Sequence, residues 1–296
     1  MSTETAPFDA ENRSRAKAPL SGGERARLIV AHVFVYLAAA IFMLPLIYAF
    51  FSALKPNGEM FAMPPRLVGS EIRWTNFVEV FQFGPFWTYI LNSLFVAVAG
   101  TLVVLIVSTT AGYAFGRLRW KGRDIVFVAF LATLMVPAEV LVIPMFQVMQ
   151  WFNWVDTFQA LIFPFAFGAF GTFLMRQFFR GIPYELEEAA RVDGAGPLRT
   201  FIRILLPLSK SSIAVLSVFT FLSFWNSYLW PLIVTVDYNA RGTLPVGLAS
   251  FSGLTGTRWD LQMAAAIISM VPTTVLIIVL QKHLVKGIAM SGMGGR

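Results

Sequence analysis

The sequence predicts an all-α polytopic membrane protein with about six transmembrane helices and a polar helical hairpin between the fourth and the fifth. Three observations carry that prediction. Of 296 residues, 57% are hydrophobic and 13% charged, with a mean hydropathy of +0.68, where a soluble domain carries about 25% charged residues. The apolar residues fall in runs longer than the roughly 20 that a helix needs to cross hydrocarbon. Basic residues gather in alternate connections between those runs.

Taken in order, residues 1–27 are polar and mixed in charge, without an apolar run or a small-residue cleavage site. They are expected to form a disordered cytoplasmic tail and not a signal peptide. The first run, 28–54, opens a transmembrane domain expected to extend to residue 285. A loop follows at 55–85, whose Trp74, Phe77 and Phe81 fit an interfacial aromatic belt. Further runs lie at 87–115, 125–149, 157–179, 211–236 and 261–284. Residues 286–296 form a second cytoplasmic tail, with a flexible Ser291–Gly295 stretch.

Charge orients the spans. The N-terminal tail, the two connections containing Arg117–Arg123 and Arg176–Lys210, and the C-terminal end together hold eighteen of the 23 Lys and Arg residues. Lys55, Arg66, Arg73, Arg241 and Arg258 are left for the other face. By the positive-inside rule both termini and the polar hairpin are cytoplasmic. The same clustering beside spans accounts for the net charge of +7 and pI near 9.9 without any nucleic acid. The absence of cysteine excludes disulfides and thiolate sites. His32 and His283, far apart and near span ends, read as interfacial side chains and not as metal ligands.

The polar hairpin spans 182–208. Pro183 suits a first helical position, Glu185, Glu187 and Glu188 complement the helix dipole, and Gly194 and Gly196 supply a stop. Glu187 and Arg191 stand at i,i+4, and Ala189 and Ala190 leave the backbone open to another protein. A second helix starts at Pro197, with Leu198, Phe201, Ile202 and Leu205 as one apolar stripe ended by Pro207.

Glu188-Ala189-Ala190, Asp193-Gly194, and then Ile204, Leu206 and Pro207 resemble, in residues and spacing, the EAA signature of binding-protein-dependent ABC importer permeases. In that family the segment is the coupling helix that docks on an ATPase subunit. The likeness extends over residues 86–285. Leu91-Asn92-Ser93-Leu94, the Pro137 and Pro144 pair, Phe224-Trp225-Asn226-Ser227 with Trp230-Pro231-Leu232, and the ending at 284–287 are similar to maltose-type carbohydrate permeases. The resemblance implies a multi-pass protein of the bacterial cytoplasmic membrane that carries a sugar. Its implied partners are a second, homologous permease, two ATPase subunits and an extracytoplasmic binding protein. It implies no cofactor on this chain, with ATP and Mg on the ATPase. The sequence contains no G-x-x-x-x-G-K-[ST] phosphate loop, in keeping with that division.

Polar groups inside the runs are candidates for the substrate path. Glu139 lies about 22 Å along a straight helix from Asp124, where a carboxylate must be neutralised or face a watery cavity. Pro137 and Pro144 should bend this span. Trp225, Asn226, Ser227 and Trp230 combine aromatic faces with an amide and a hydroxyl, as sugar binding requires, though the same mixture serves helix packing. The Gly, Ser and Thr of 237–260 fit a flexible loop. Two alternatives stand beside the sugar reading: glycerol-phosphate esters carried by the same machinery, and proton-coupled secondary transport through Glu139. An intramembrane enzyme is disfavoured, because no nucleophile stands with a base.

Overall fold

The computed structural model describes residues 22–253 and 256–292, with side chains through Lys282. Three helices are long and apolar enough to cross a membrane, and three further pairs would each cross as one bent span. α1 (Gly22–Ala53) starts six residues before the apolar run and continues through Pro45. Residues 22–27, expected in the tail, are therefore helical. Residues 1–21, most of that tail, lie outside the described residues. As far as Ala49, α1 belongs to a separate unit, and everything below concerns the unit from Phe50 onward.

After a loop, α2 (Thr75–Phe83) leads into α3 (Phe86–Gly116), the element on which this unit is built. α3 packs on α7 (Ala169–Arg180) and α11 (Lys210–Trp225), and α11 packs on α15 (Trp259–Gly292). Small residues make the close contacts. A Cβ at Gly100 would lie 2.6 Å from the Phe224 ring, and one at Gly112 would lie 2.6 Å from Met175 Cβ and 3.0 Å from the Arg176 amide nitrogen. Ser108, Gly112 and Gly116 recur every fourth residue, so one face of α3 lets the α7 backbone approach, as membrane helices do when lipid gives no hydrophobic drive. The opposite face, with Phe95, Val98, Leu102 and Ile106, remains exposed.

The third span is broken, not straight. α4 (Arg123–Ala132) runs on as a 3₁₀ turn to Met135, and α5 (Val142–Trp151) leaves after a second 3₁₀ turn at an angle of 93°. Pro137 explains the break, because it has no N–H to donate and drives Val136 into an extended conformation, ψ 119°. Pro144 sits in the first turn of α5, where a missing N–H costs little, and makes no second bend. Glu139 therefore stands at the elbow, and the depth expected from a straight rise does not apply.

The fourth span, α6 (Phe158–Ile162) with a 3₁₀ turn to Phe165 and then α7, bends by 46° at the break of residues 166–168. The hairpin follows: α8 (Glu185–Val192), α9 (Pro197–Thr200), a π turn at Phe201–Leu205 and α10 (Leu206–Leu208), which turns by 77° into α11. The expected fifth run of 211–236 ends early. α11 stops at Trp225, and α12 (Leu229–Val234) is a separate helix after an Asn226–Tyr228 break.

Residues 237–253 and 256–260 are folded, contrary to the flexible loop expected from the composition of 237–260. α13 (Tyr238–Arg241) and α14 (Leu244–Ala249) lie on α3, and a two-residue hairpin of β1 (Ser252–Gly253) and β2 (Gly256–Thr257) leads to α15. Buried Asn92 donates to Ala240 O and Gly242 O, both at 3.0 Å, and Ser93 Oγ accepts from Leu244 N at 2.7 Å. Arg258 bridges Glu79 at 3.2 Å and Asp260 at 3.0 Å, tying α2 to the start of α15. α15 continues to Gly292, so the beginning of the expected flexible ending is helical.

Candidate functional site

The polar hairpin sits against the C-terminal end of α3. Glu185, Glu187 and Glu188 occupy the first turn of α8, where exposed N–H groups favour negative charge. Its other end closes as a Schellman motif: Gly194 N donates to Arg191 O at 3.1 Å and Ala195 N to Ala190 O at 2.8 Å. That geometry requires a left-handed residue after the cap, and Gly194 has φ +76°. The glycine of the signature thus has a local physical cause.

One face of α8 is turned inward. Its buried residues are Glu187 and Ala190, three positions apart. This corrects two expectations. Ala190 packs within its own chain and is not on the free face, and Glu187 pairs with Arg117, not with Arg191. The outward face carries Leu186, Glu188, Ala189, Val192 and Asp193, all exposed, Val192 to 88%.

Arg117, the residue that follows α3, gathers the start of the hairpin. Its side chain is fully buried, and its Nε lies 2.8 Å from Glu187 Oε1. The N–H is not aimed for a hydrogen bond, so this contact is Coulombic. Nη2 donates to Ile182 O, and the guanidinium lies 4.1 Å from the centre of the Tyr184 ring. One turn earlier, Tyr113 donates to Pro197 O at 3.2 Å and stacks on Phe201 at 4.9 Å. A cleft of about 500 Å³ opens beside these groups, bordered also by Arg119, Glu188 and Arg191. A second arginine, Arg176 of α7, joins neighbouring elements: it donates to Phe115 O at 3.1 Å and to Asp124 at 3.0 Å, over the Phe127 ring at 3.9 Å.

The π turn splits the apolar stripe expected for the second helix. Phe201 and Leu205 are buried, while Leu198 and Ile202 are 69% and 51% exposed. The wider turn breaks the 3.6-residue register that would have kept the four on one face. Ile204 and Leu206 are half-buried and Pro207 exposed, at the bend into α11, so the signature serves two places: the α8 turn and this bend.

The substrate-path candidates are not one surface. The Trp225 indole donates to Ser269 O at 3.2 Å and stacks on Phe221, and the Trp230 indole donates to Ala160 O at 2.8 Å. Both rings are buried, 3% and 4% exposed, and hold helices together. Asn226 is exposed and Ser227 half-buried in the break between α11 and α12. Glu139 is exposed, and its carboxylate makes no hydrogen bond or ion pair to any described residue. Sequence reading missed the Ser108, Gly112, Gly116 spacing, a visible small-residue pattern, and treated Arg117 and Arg176 only as charges that orient the chain.

Comparison with known proteins gives concordant results. The model of the family described as binding-protein-dependent transport system inner membrane component matches residues 108–290. The chain is 36% identical over 268 residues to the sn-glycerol-3-phosphate transport system permease protein UgpE of Yersinia pestis (bv. Antiqua, strain Antiqua), covering 88% of this chain and 95% of that protein. It is also 36% identical over 269 residues to the protein of the same name from Escherichia coli O6:K15:H31, with the same two coverages. Among solved structures it is similar to a bacterial ABC transporter involved in the import of the acidic polysaccharide alginate, with a TM-score of 0.75 and 25% identity over 90% of this chain and 99% of the other.

Proposed function

This chain belongs to the family of binding-protein-dependent transport system inner membrane components, and from that premise we propose that it carries a sugar handed over by an extracytoplasmic binding protein. It is a permease subunit of an ABC importer and not an enzyme; ATP hydrolysis belongs to a separate subunit. That membership sets aside the proton-coupled alternative. A glycerol-phosphate ester is the second reading of the substrate, favoured by the named relatives at 36% identity. Identifying what the binding protein retains, a sugar or sn-glycerol 3-phosphate, decides between them.

In this reading the remaining partners are a second, homologous permease and two ATPase subunits that hold ATP and Mg. Both termini and the hairpin face the cytoplasm, where the eighteen basic residues lie. Closure of the ATPases on ATP moves α8, the spans rotate, and the path opens outward to receive solute. Glu188, Ala189, Asp193 and Gly194 form the docking turn, with Ala190 holding it from beneath. Ile204, Leu206 and Pro207 shape the bend through which motion enters α11. Asn226, Ser227 and Glu139 are free to meet solute, while Trp225 and Trp230 keep the wall in place.

The observation that carries docking is the exposed apolar strip of Leu186, Ala189 and Val192 on a helix otherwise rich in charge. Such a strip at the polar end of a membrane protein fits a protein partner. Ala189→Trp adds bulk there without touching the chain's own core. Expected are normal expression and insertion, with loss of ATPase co-purification or of hydrolysis stimulated by the binding protein. Wild-type assembly, stimulation and uptake in this variant would overturn the docking role.

A further inference from the structure

We propose that Arg117 is the positioning residue that ties the motion of α8 to α3, and through α3 to the outer helices α13 and α14. The inference rests on the permease reading above and adds to it the route by which movement leaves the hairpin.

α8 is joined to the rest of the unit along an inward face of two residues, Glu187 and Ala190. Glu187 ends on Arg117, and so do Ile182 through its carbonyl and Tyr184 through its ring. Three positions within six residues of chain thus converge on one fully buried guanidinium. Its Nη1 is buried and has no hydrogen-bond partner. An arginine held this way passes on displacement of the hairpin, since one hydrogen bond, the ring stack and the charge contact constrain it along different axes. The alternative path, along the chain through α9 and α10, passes a π turn and a 77° bend before it reaches α11. Both features are places where a helix yields.

α3 is a suitable rod. Its 31 residues are helical without interruption and run about 46 Å at 1.5 Å per residue. Near its far end Asn92 and Ser93 hold Ala240, Gly242 and Leu244, all backbone atoms of the α13–α14 segment. A shift of α3 along or about its axis therefore moves the outer segment directly. Arg117 touches no solute in this scheme and makes no part of the exposed α8 strip.

The test uses the assembled transporter, with its ATPases and binding protein, and follows hydrogen exchange of α8 and of residues 238–249 with and without Mg-ATP and vanadate. In the wild type both regions should change. In Arg117→Met the nucleotide-dependent change at α8 should remain and that at 238–249 should be lost, with nucleotide-free exchange at 238–249 unaltered. Arg117→Lys, which keeps charge but not the planar guanidinium over the Tyr184 ring, should fall between. Should Arg117→Met fail to assemble, Glu187→Gln keeps shape and is expected to reduce the response at 238–249 alone. A wild-type response at 238–249 in either assembled variant overturns the proposal, as does a wild-type complex in which α8 responds and 238–249 does not. Absence of any response at α8 in the wild type would instead count against ATPase docking itself. Restoration of the outer response by pairing Arg117→Glu with Glu187→Arg would show that the contact, and not the arginine alone, carries the motion.

Discussion

The two ends of α3 are fastened by different physics. At the Arg117 end, the hairpin is held through long side chains: a buried ion contact, a guanidinium over a ring and one phenolic hydrogen bond. At the Tyr89 end, α13 and α14 are held by short neutral side chains bonded to backbone, and by glycines against which the Tyr89 ring lies directly. Long charged groups leave small side-chain rotations open without releasing the hairpin. Fitted backbone does not, because dense packing leaves no room to give. The hairpin end is tethered by side chains, and the Tyr89 end is fitted by backbone.

The strongest way to break this contrast is to add one methyl group at each end. A Cβ at Gly247 would come 2.2 Å from Tyr89 Cδ2, whereas one at Gly196 meets nothing within 4 Å. Gly247→Ala should lose stability in the upper part of the overpacking range of about 1–3 kcal/mol. Gly196→Ala should change it by less than about 1 kcal/mol. Denaturation midpoints of the purified protein in detergent check both. Equal effects would mean that the outer end is no more closely fitted than the hairpin.

A smaller difference is expected from removing hydrogen bonds. Asn92→Ala leaves Ala240 O and Gly242 O without their buried donor, a cost of about 1–3 kcal/mol, and should loosen amide exchange in α14. Tyr113→Phe removes a single bond of 3.2 Å to Pro197 O, a cost of about 1 kcal/mol, with the Phe201 stack kept. If Tyr113→Phe were the more damaging, the hairpin would depend on that hydroxyl and not on Arg117.

The smallest effect concerns pH. In the loop before α2, Glu59 accepts hydrogen bonds from the Ser70 hydroxyl and from the Ser70 N–H at 2.8 Å. These bonds, the hydroxyl's first, hold its carboxyl below the usual value of 4.5. A depressed folded value means that the carboxylate's contribution is complete above about pH 4.5 and is lost as pH falls through the folded value. The protection of amides in residues 56–72, taken relative to intrinsic exchange at each pH, should therefore fall in acid, below pH 4.5, in the wild type but not in Glu59→Gln. Acid-independent protection in the wild type would remove Glu59 as the loop's fastener. No such dependence is expected at the Gly247 contact, which contains no titrating carboxylate.

Much was legible without coordinates because it follows from local rules. Run length and composition determined that the chain is a helical membrane protein, since an unpaired backbone cannot sit in hydrocarbon. The turn at Gly194 followed from its being the residue best able to take a left-handed angle, and the break at Pro137 from its missing N–H. The spacing of Glu188, Ala189, Ala190, Gly194 and Pro207 pointed to the family.

Tertiary structure decided which way each of those residues turned. Glu187 has Arg191 at helical distance and Arg117 seventy positions earlier in the chain. It takes Arg117 because burial makes an opposite charge worth more there than at an exposed i,i+4 site. Ala190 and Ala189 are identical in the sequence, yet one is covered and the other free, since adjacent residues lie about 100° apart on a helix and only packing selects the inner face. Trp225 and Trp230 carried the chemistry of a sugar platform, and the fold gave their N–H groups to Ser269 and Ala160 carbonyls instead. Composition states what a side chain is able to do. Which partner it meets depends on contacts distant in sequence, and those exist only once the helices have packed.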